Sequence, residues 1–273
     1  MSRNPNPKKR MHFCPQYFHN PVHRIRVVLV GAGGNGSQML SALARIDHAL
    51  VSLGKPGIHV TVWDPDTVEA PNIGRQLFTA PEIGRNKAEC IVTRFNRALG
   101  LDWDAVPKRW EPGKGNLGNI IISCVDKIDA RLQIARSFHE NKIRSTKGRD
   151  GKTYRPEGNE YSCFYWLDLG NRQSTGQAVL GSGTIKQPRR TGYATVETLP
   201  SLDEVADLSS VKEEDSGPSC SLAEALEKQD LFINSVLVQT AAALLWSLLK
   251  DVAIDIHGVY VNLDTYRTVP LAV

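Results

Sequence analysis

Val27-Val-Leu-Val-Gly-Ala-Gly-Gly-Asn-Gly-Ser37 sets Gly31, Gly33 and Gly36 in G-x-G-x-x-G spacing directly behind an apolar run. Glycine there allows a tight turn and lets the backbone approach a phosphate, while the amides opening the next helix point at the anion. The spacing suits ATP and NAD equally. Asp64 ends the next apolar run, where an acidic side chain accepts hydrogen bonds from ribose hydroxyls. Both nucleotides carry a ribose, so Asp64 does not separate them either. Asp66 reads as a further nucleotide contact or as a local turn or cap.

Arg75 and Lys87 do separate the two ligands. An arginine fork and a lysine point charge beside a triphosphate stabilise the charge that develops as pyrophosphate leaves, and Asn72 and Gln76 stand close by in the chain. Hydride transfer has no triphosphate to neutralise. Asp126 follows a third apolar run, where a carboxylate is costly unless it meets solvent, a partner or a metal. One carboxylate plus substrate phosphates is a common way to hold Mg2+; capping a helix that begins at Ile128 is the competing role.

Cys220 follows Ser216-Gly-Pro-Ser219 and precedes a long helical pattern, whose N-terminus favours thiolate. It reads either as a catalytic thiol that takes an acyl group from an adenylate or as an inert, partly buried cysteine. The seven histidines show no metal-ligand or triad spacing and receive no role. The residues therefore favour Mg-ATP-dependent activation of a carboxylate. An NAD-dependent oxidoreductase would leave Arg75, Lys87 and Asp126 idle; a non-catalytic nucleotide-binding scaffold is the other alternative.

The scaffold expected to position these groups alternates strands and helices. Arg24 to Val30 is a continuous β-branched run, as in a central parallel strand buried on both faces, and Ile120 to Val125 reads as another buried strand. Ile58 to Trp63 is a further strand, and helical spacing covers Asn35 to Val51, Pro81 to Leu99 and Ile128 to His139. Right-handed crossovers then give an open, mostly parallel sheet with helices on both faces, and its ligands sit at the carboxyl ends of the strands. Gly31, Asp64 and Asp126 all fall at such ends.

Residues 1–23 contain four prolines and read as an irregular arm ahead of a nucleotide-binding half (24–142) and a C-terminal substrate half (143–273). Within the latter, 144–160 looks like an exposed loop and Ser162–Leu169 and Gln177–Gly181 like short strands. The polar stretch 183–219 is a candidate binding loop. A helix over 221–250 and strands near Ile256–Leu263 and Thr268–Leu271 complete a mixed, antiparallel extension.

Net charge is +4 without a basic stripe of interleaved aromatics, which argues against nucleic acid. The most apolar run, Val236 to Leu249, contains Gln239, Thr240 and Ser247 and reads as a buried core helix rather than a membrane span. Five cysteines, an odd count without a C-x-x-C pair or signal peptide, favour a reducing cytoplasm.

These motifs resemble, in order, those of the ThiF/MoeB/E1 adenylyltransferase superfamily: Gly31-Ala-Gly-Gly34, Asp64-Pro-Asp66, Asn72…Arg75-Gln76, Ile83-Gly-Arg-Asn-Lys87 and Cys124-Val-Asp126…Arg131. Trp63-Asp-Pro-Asp66 and Pro218-Ser-Cys-Ser-Leu-Ala-Glu-Ala-Leu226 are most similar to the ThiF-like members of the bacterial PRTRC cassette. The resemblance implies a Rossmann-like fold that adenylates the C-terminal glycine of a ubiquitin-like protein. It puts ATP on the turn of Gly31, Gly33, Gly34, Asn35 and Gly36, with its ribose on Asp64 and neighbouring contacts from Asp66 and Gln76. Asn72, Arg75 and Lys87 take the phosphates, Asp126 takes Mg2+, and Cys220 takes the place of a thioester cysteine. It further implies a homodimer, a crossover loop at 183–219, and an E2-like protein of the same cassette as an acceptor. Three departures stand out: the Arg-Tyr-x-Arg-Gln sequence before the first strand is absent, leaving Arg10 as the nearest candidate for an arginine acting in trans. The Cys-x-x-Cys zinc pairs are also absent, and Lys127 replaces Asn after the metal carboxylate.

Overall fold

A computed structural model describes residues 8–113, 117–143, 146–147, 153–154, 162–189, 191–208 and 229–273. The first central strand, β2 (Ile25–Val30), follows a short β1 (Arg10–Phe13) and a single helical turn, α1 (Gln16–His19). All of β2 except Arg26 is buried, as a strand covered on both faces requires. It is joined by parallel pairing to β3 (Ile58–Trp63) on one side and β5 (Ile120–Ser123) on the other. β4 (Asp104–Val106) extends the β3 edge, and β8 (Tyr165–Asn171) lies parallel beyond β5.

From β8 the direction alternates. β9 (Thr175–Ser182), β12 (Ile256–Asn262) and β13 (Arg267–Ala272) pair antiparallel in turn. The eight-stranded order is β13-β12-β9-β8-β5-β2-β3-β4, an α/β sheet that is parallel from β8 to β4 and antiparallel at the other edge. A short hairpin, β6 (Thr146–Lys147) with β7 (Thr153–Tyr154), sits between β5 and β8 in sequence.

The helices start where the backbone can be capped. α2 (Gly34–Ser52) opens at the glycine turn with Gly33 as its N-cap and no side-chain cap, so its first amides are free of intrahelical partners. α3 was expected from Pro81, yet it spans Lys87–Leu99. The reason is local: Gly84 has φ +85°, and Asn86 caps α3 by accepting from the Glu89 amide at 3.0 Å. α4 runs Ile128–Ile143, four residues past the expected end.

The last long helix, α6 (Ile233–Asp251), follows a short α5 (Leu202–Val205). The sequence expectation began it at 221; residues 229–232 are not helical, and 221–228 lie outside the described residues. Its 19 residues would suffice to cross a membrane by length and composition alone. Here Leu237, Val238, Ala241, Leu245 and Leu248 are buried, and the helix packs on α2 and on the antiparallel strands.

The described part of the N-terminal arm is ordered into the fold, contrary to expectation. β1 pairs in parallel with β10 (Ala194–Thr195), which lies inside the stretch read as a polar loop, and antiparallel with β11 (Ala253–Ile254). Phe18 and His12 are fully buried. A neutral His12 donates from Nδ1 to the Val196 carbonyl at 2.8 Å and accepts the Tyr165 hydroxyl at Nε2, 3.0 Å away. Burial pushes its pKa down to about 4.

The unfolded chain binds the His12 proton near the ordinary value of about 6.5, and the folded chain only near 4. Stability is therefore full above the higher value and falls as pH drops toward the lower one, by about 3 kcal/mol for this residue. Urea unfolding between pH 7 and 4 should show that loss, and His12→Gln should flatten it; equal pH slopes in the two proteins would contradict the assignment.

Candidate active site

Two local structures bring the sequence-selected residues to the carboxyl ends of β2, β3 and β5. The first is the glycine turn. Gly31 has φ +93°, and a Cβ there would lie 2.6 Å from the Cys124 carbonyl. A Cβ on Gly36 would fall 1.8 Å from the Gly31 carbonyl, so α2 can approach the turn only as glycine. Gly33 has open space around its Cα, whereas Gly34 packs on Asn234. Asn35 donates from Nδ2 to Asn171 at 2.8 Å, and its Oδ1 is buried without a partner.

The second structure is the loop from Asp64 to Lys87. Asp64 is buried, with one carboxylate oxygen accepting the Ala32 amide at 2.5 Å and the other the Asp66 amide at 2.8 Å. It thereby ties the glycine turn to the end of β3. Burial raises its pKa, opposed by those two amides and by Lys87. The chain then folds back on itself: the Lys87 amide donates to the Asp66 carbonyl at 2.9 Å. Asn86 donates to the Asp64 carbonyl at 2.8 Å and to that of Asp66 at 3.1 Å. Asn86 thus sets both the turn and the start of α3. Sequence reasoning passed over it as a functional residue, although Asn just before a helical pattern is a cap signal.

A cleft of about 520 Å³ results, lined by Asp66, Asn72, Arg75, Gln76, Lys87 and Asp126 together with Pro65, Thr67, Glu69 and Pro71. Six of the sequence-selected residues therefore share one space. Gly31, Gly33, Gly34, Asn35, Gly36 and Asp64 do not line it; they lie alongside, joined to it through Asp64. Lys87 is largely buried, its Nζ 3.4 Å from the Asp66 carboxylate. Asn72 accepts the Glu69 amide at 2.8 Å, which closes a single 3-10 turn. The Leu77 amide donates to Ser37 Oγ at 3.2 Å, so the 72–77 loop is tied to the first turn of α2.

Arg75 is half-buried and has no ion pair among the described residues; burial lowers its pKa. Its Nη1 donates to the side-chain amide oxygen Oε1 of Gln229 at 2.5 Å, while Nε is buried without a partner. Gln76 Oε1 is likewise buried and unpartnered. The cleft thus holds cationic and amide groups whose hydrogen-bonding capacity is not used up within the protein.

Asp126 is exposed at the turn between β5 and α4, and among the described residues it has no hydrogen-bond partner. The competing role as a helix cap therefore has no supporting contact. Among the described residues no three His, Cys, Asp or Glu side chains cluster as a metal cage. An exposed carboxylate without a partner among the described residues, lining one cleft with Arg75 and Lys87, fits Mg2+, which keeps several waters and takes few protein ligands.

The turn bearing Asp126 is held from behind. Arg131 on α4 donates to the Val125 carbonyl at 2.8 Å and to Asp168 at 3.2 Å. Asp168 is fully buried on β8 and also accepts from Ser123 at 2.5 Å. Burial raises the Asp168 pKa, opposed by Arg131 and Ser123. This carboxylate was also missed by sequence reading, since it lies mid-strand with partners 37 and 45 residues away. Cys220 lies outside the described residues. Among the other cysteines, burial pushes the Cys14 and Cys163 thiols up to about 12 and Cys124 higher still, the opposite of an activated nucleophile.

A second hollow, about 560 Å³, lies between the start of α6 and the β12–β13 turn, where Phe232 and Tyr266 are exposed. Gln229 reaches Arg75 in the first cleft, and its neighbour Asp230 lines the second.

A profile describing the ThiF family matches residues 10–262. The chain is 29% identical over 152 residues to ubiquitin-activating enzyme E1 1 of Schizosaccharomyces pombe, covering 50% of this chain and 15% of that protein. It is 39% identical over 74 residues to the Nedd8-activating enzyme E1 catalytic subunit of Drosophila melanogaster, covering 27% and 14%. It therefore spans only a small part of either relative. Among solved structures, E. coli MccB with ATP matches with a TM-score of 0.51 at 15% identity, over 91% of this chain and 63% of that one. That likeness speaks to the fold.

Proposed function

The chain belongs to the ThiF family, and from that premise we propose that it uses Mg-ATP to adenylate the C-terminal glycine carboxylate of a ubiquitin-like protein. A carboxylate oxygen of the partner attacks the α-phosphorus of ATP. The bond to the bridging oxygen breaks, and pyrophosphate leaves with the electron pair, giving an acyl-adenylate. The observation that carries this reading is the single cleft lined by Arg75, Lys87 and Asp126 with Asn72 and Gln76.

Each residue then has a physical task. The free amides at the start of α2 receive phosphate oxygens, helped by the helix dipole. Asp64 keeps lone pairs beyond the two that accept backbone amides, and these are available to ribose. Arg75 and Lys87 offset negative charge as pyrophosphate departs, with Asn72 and Gln76 supplying neutral contacts. Asp126 would hold Mg2+, which when bound would supply Lewis-acid stabilisation of the negative charge on the phosphates. Because these groups are already fixed by the fold, little reorganisation is needed in the transition state.

We place the chain, by its motifs, beside the ThiF-like members of the PRTRC cassette, acting as a cytoplasmic homodimer on the ubiquitin-like protein of that cassette. Transfer of the acyl group to Cys220, and from there to an E2-like protein, rests on sequence alone. The 183–219 stretch is the proposed crossover loop over the partner's tail.

Nucleotide choice tests the reading against hydride transfer. Calorimetry should give tighter binding of Mg-ATP than of NAD, because only ATP presents a triphosphate to Arg75 and Lys87. Tighter NAD binding would favour an oxidoreductase and defeat the proposal.

A further inference from the structure

Arg75 is held by a neutral partner that comes from the other end of the chain. Gln229 precedes α6 and is 154 residues away in sequence, yet its side-chain carbonyl lies 2.5 Å from Arg75 Nη1. Gln229 is itself well placed for this. The next residue, Asp230, donates its amide to the Gln173 carbonyl at 2.8 Å, in the turn between β8 and β9. The Asp230 carboxylate accepts the Phe232 amide at 2.7 Å, fixing the entry to α6. Two elements of the antiparallel half thus support one hydrogen bond to the guanidinium.

We infer that Gln229 is a positioning residue for Arg75, holding the guanidinium at the phosphate cleft through an oxygen that carries no charge. This deepens the Mg-ATP reading and rests on it. An unrestrained arginine samples many rotamers and loses that freedom when it meets phosphate. A carboxylate at 229 would also restrain it, but as a charge-assisted pair that competes with phosphate for the same fork. A neutral amide orients the group and leaves its charge for the ligand. Among the described residues Arg75 has no acidic partner, as this role requires.

The test compares Gln229→Ala and Gln229→Glu with the wild type, measuring affinity for Mg-ATP and for AMP by calorimetry together with Tm. Gln229→Glu should weaken Mg-ATP binding ~10-fold, the scale of one hydrogen bond to a charged group. Its Tm should not fall, since the new carboxylate pairs with Arg75 in the free protein. Gln229→Ala should weaken Mg-ATP by a smaller factor. AMP, lacking the leaving phosphates, should bind all three proteins alike. Equal Mg-ATP affinities, or losses that follow Tm and extend equally to AMP, would overturn the inference and leave Gln229 a merely structural tie. A wild type that binds no Mg-ATP would defeat the nucleotide reading itself, and the inference with it, before any substitution is compared.

Discussion

Arg75→Ala should lower partner-dependent ATP–pyrophosphate exchange ~100- to 1,000-fold, the usual cost of removing one preorganised contact to developing charge. The effect should be large because the cleft offers no substitute. Lys87 is a point charge whose ammonium stands 3.4 Å from Asp66, and it cannot reproduce the planar fork of arginine. The loss should be catalytic rather than structural. Arg75 has one hydrogen bond to Gln229 and no ion pair among the described residues, so its removal should shift Tm little, as for most substitutions away from the core. Arg75→Lys should restore only part of the rate. Exchange near the wild-type level in Arg75→Ala would remove the main reason for preferring ATP chemistry at this site.

How much of this could be read from the sequence depended on how local the cause was. β2 and β5 were legible because near-continuous apolar runs signal strands buried on both faces. The glycine turn was legible because its requirement is steric and confined to six residues, Gly31 to Gly36. α3 was misplaced at its start because Ile83 fits helical spacing; it is 48% exposed, and the helix waits for the Asn86 cap. Here a local capping signal outranked the apolar pattern.

The N-terminal strand escaped notice for a different reason. Its pairing partners are Ala194–Thr195 and Ala253–Ile254, far along the chain, and prolines interrupt any periodicity before it. The same holds for the site. Asp64, Arg75, Lys87 and Asp126 could be chosen by type and by their position after strands. Asp168 and Gln229 could not, because their tasks exist only once β8 and α6 are packed against residues distant in sequence. Groups that touch a ligand carry recognisable chemistry; groups that hold them in place reveal themselves only through contacts.

Asp126 carries the central claim, that the cleft activates a carboxylate with Mg-ATP. Its side chain is exposed at the β5–α4 turn, in the same cleft as Arg75 and Lys87, and it has no competing partner among the described residues. Removing it should leave the fold intact while depriving the phosphates of their Mg2+ anchor. Losing that electrostatic contact should cost at least ~100-fold. The most direct measurement is ATP–pyrophosphate exchange by the wild type and by Asp126→Ala, with and without the proposed ubiquitin-like partner. The account predicts exchange that requires both that protein and Asp126. Exchange unaffected by Asp126→Ala, or none by a wild type that binds Mg-ATP, would contradict it.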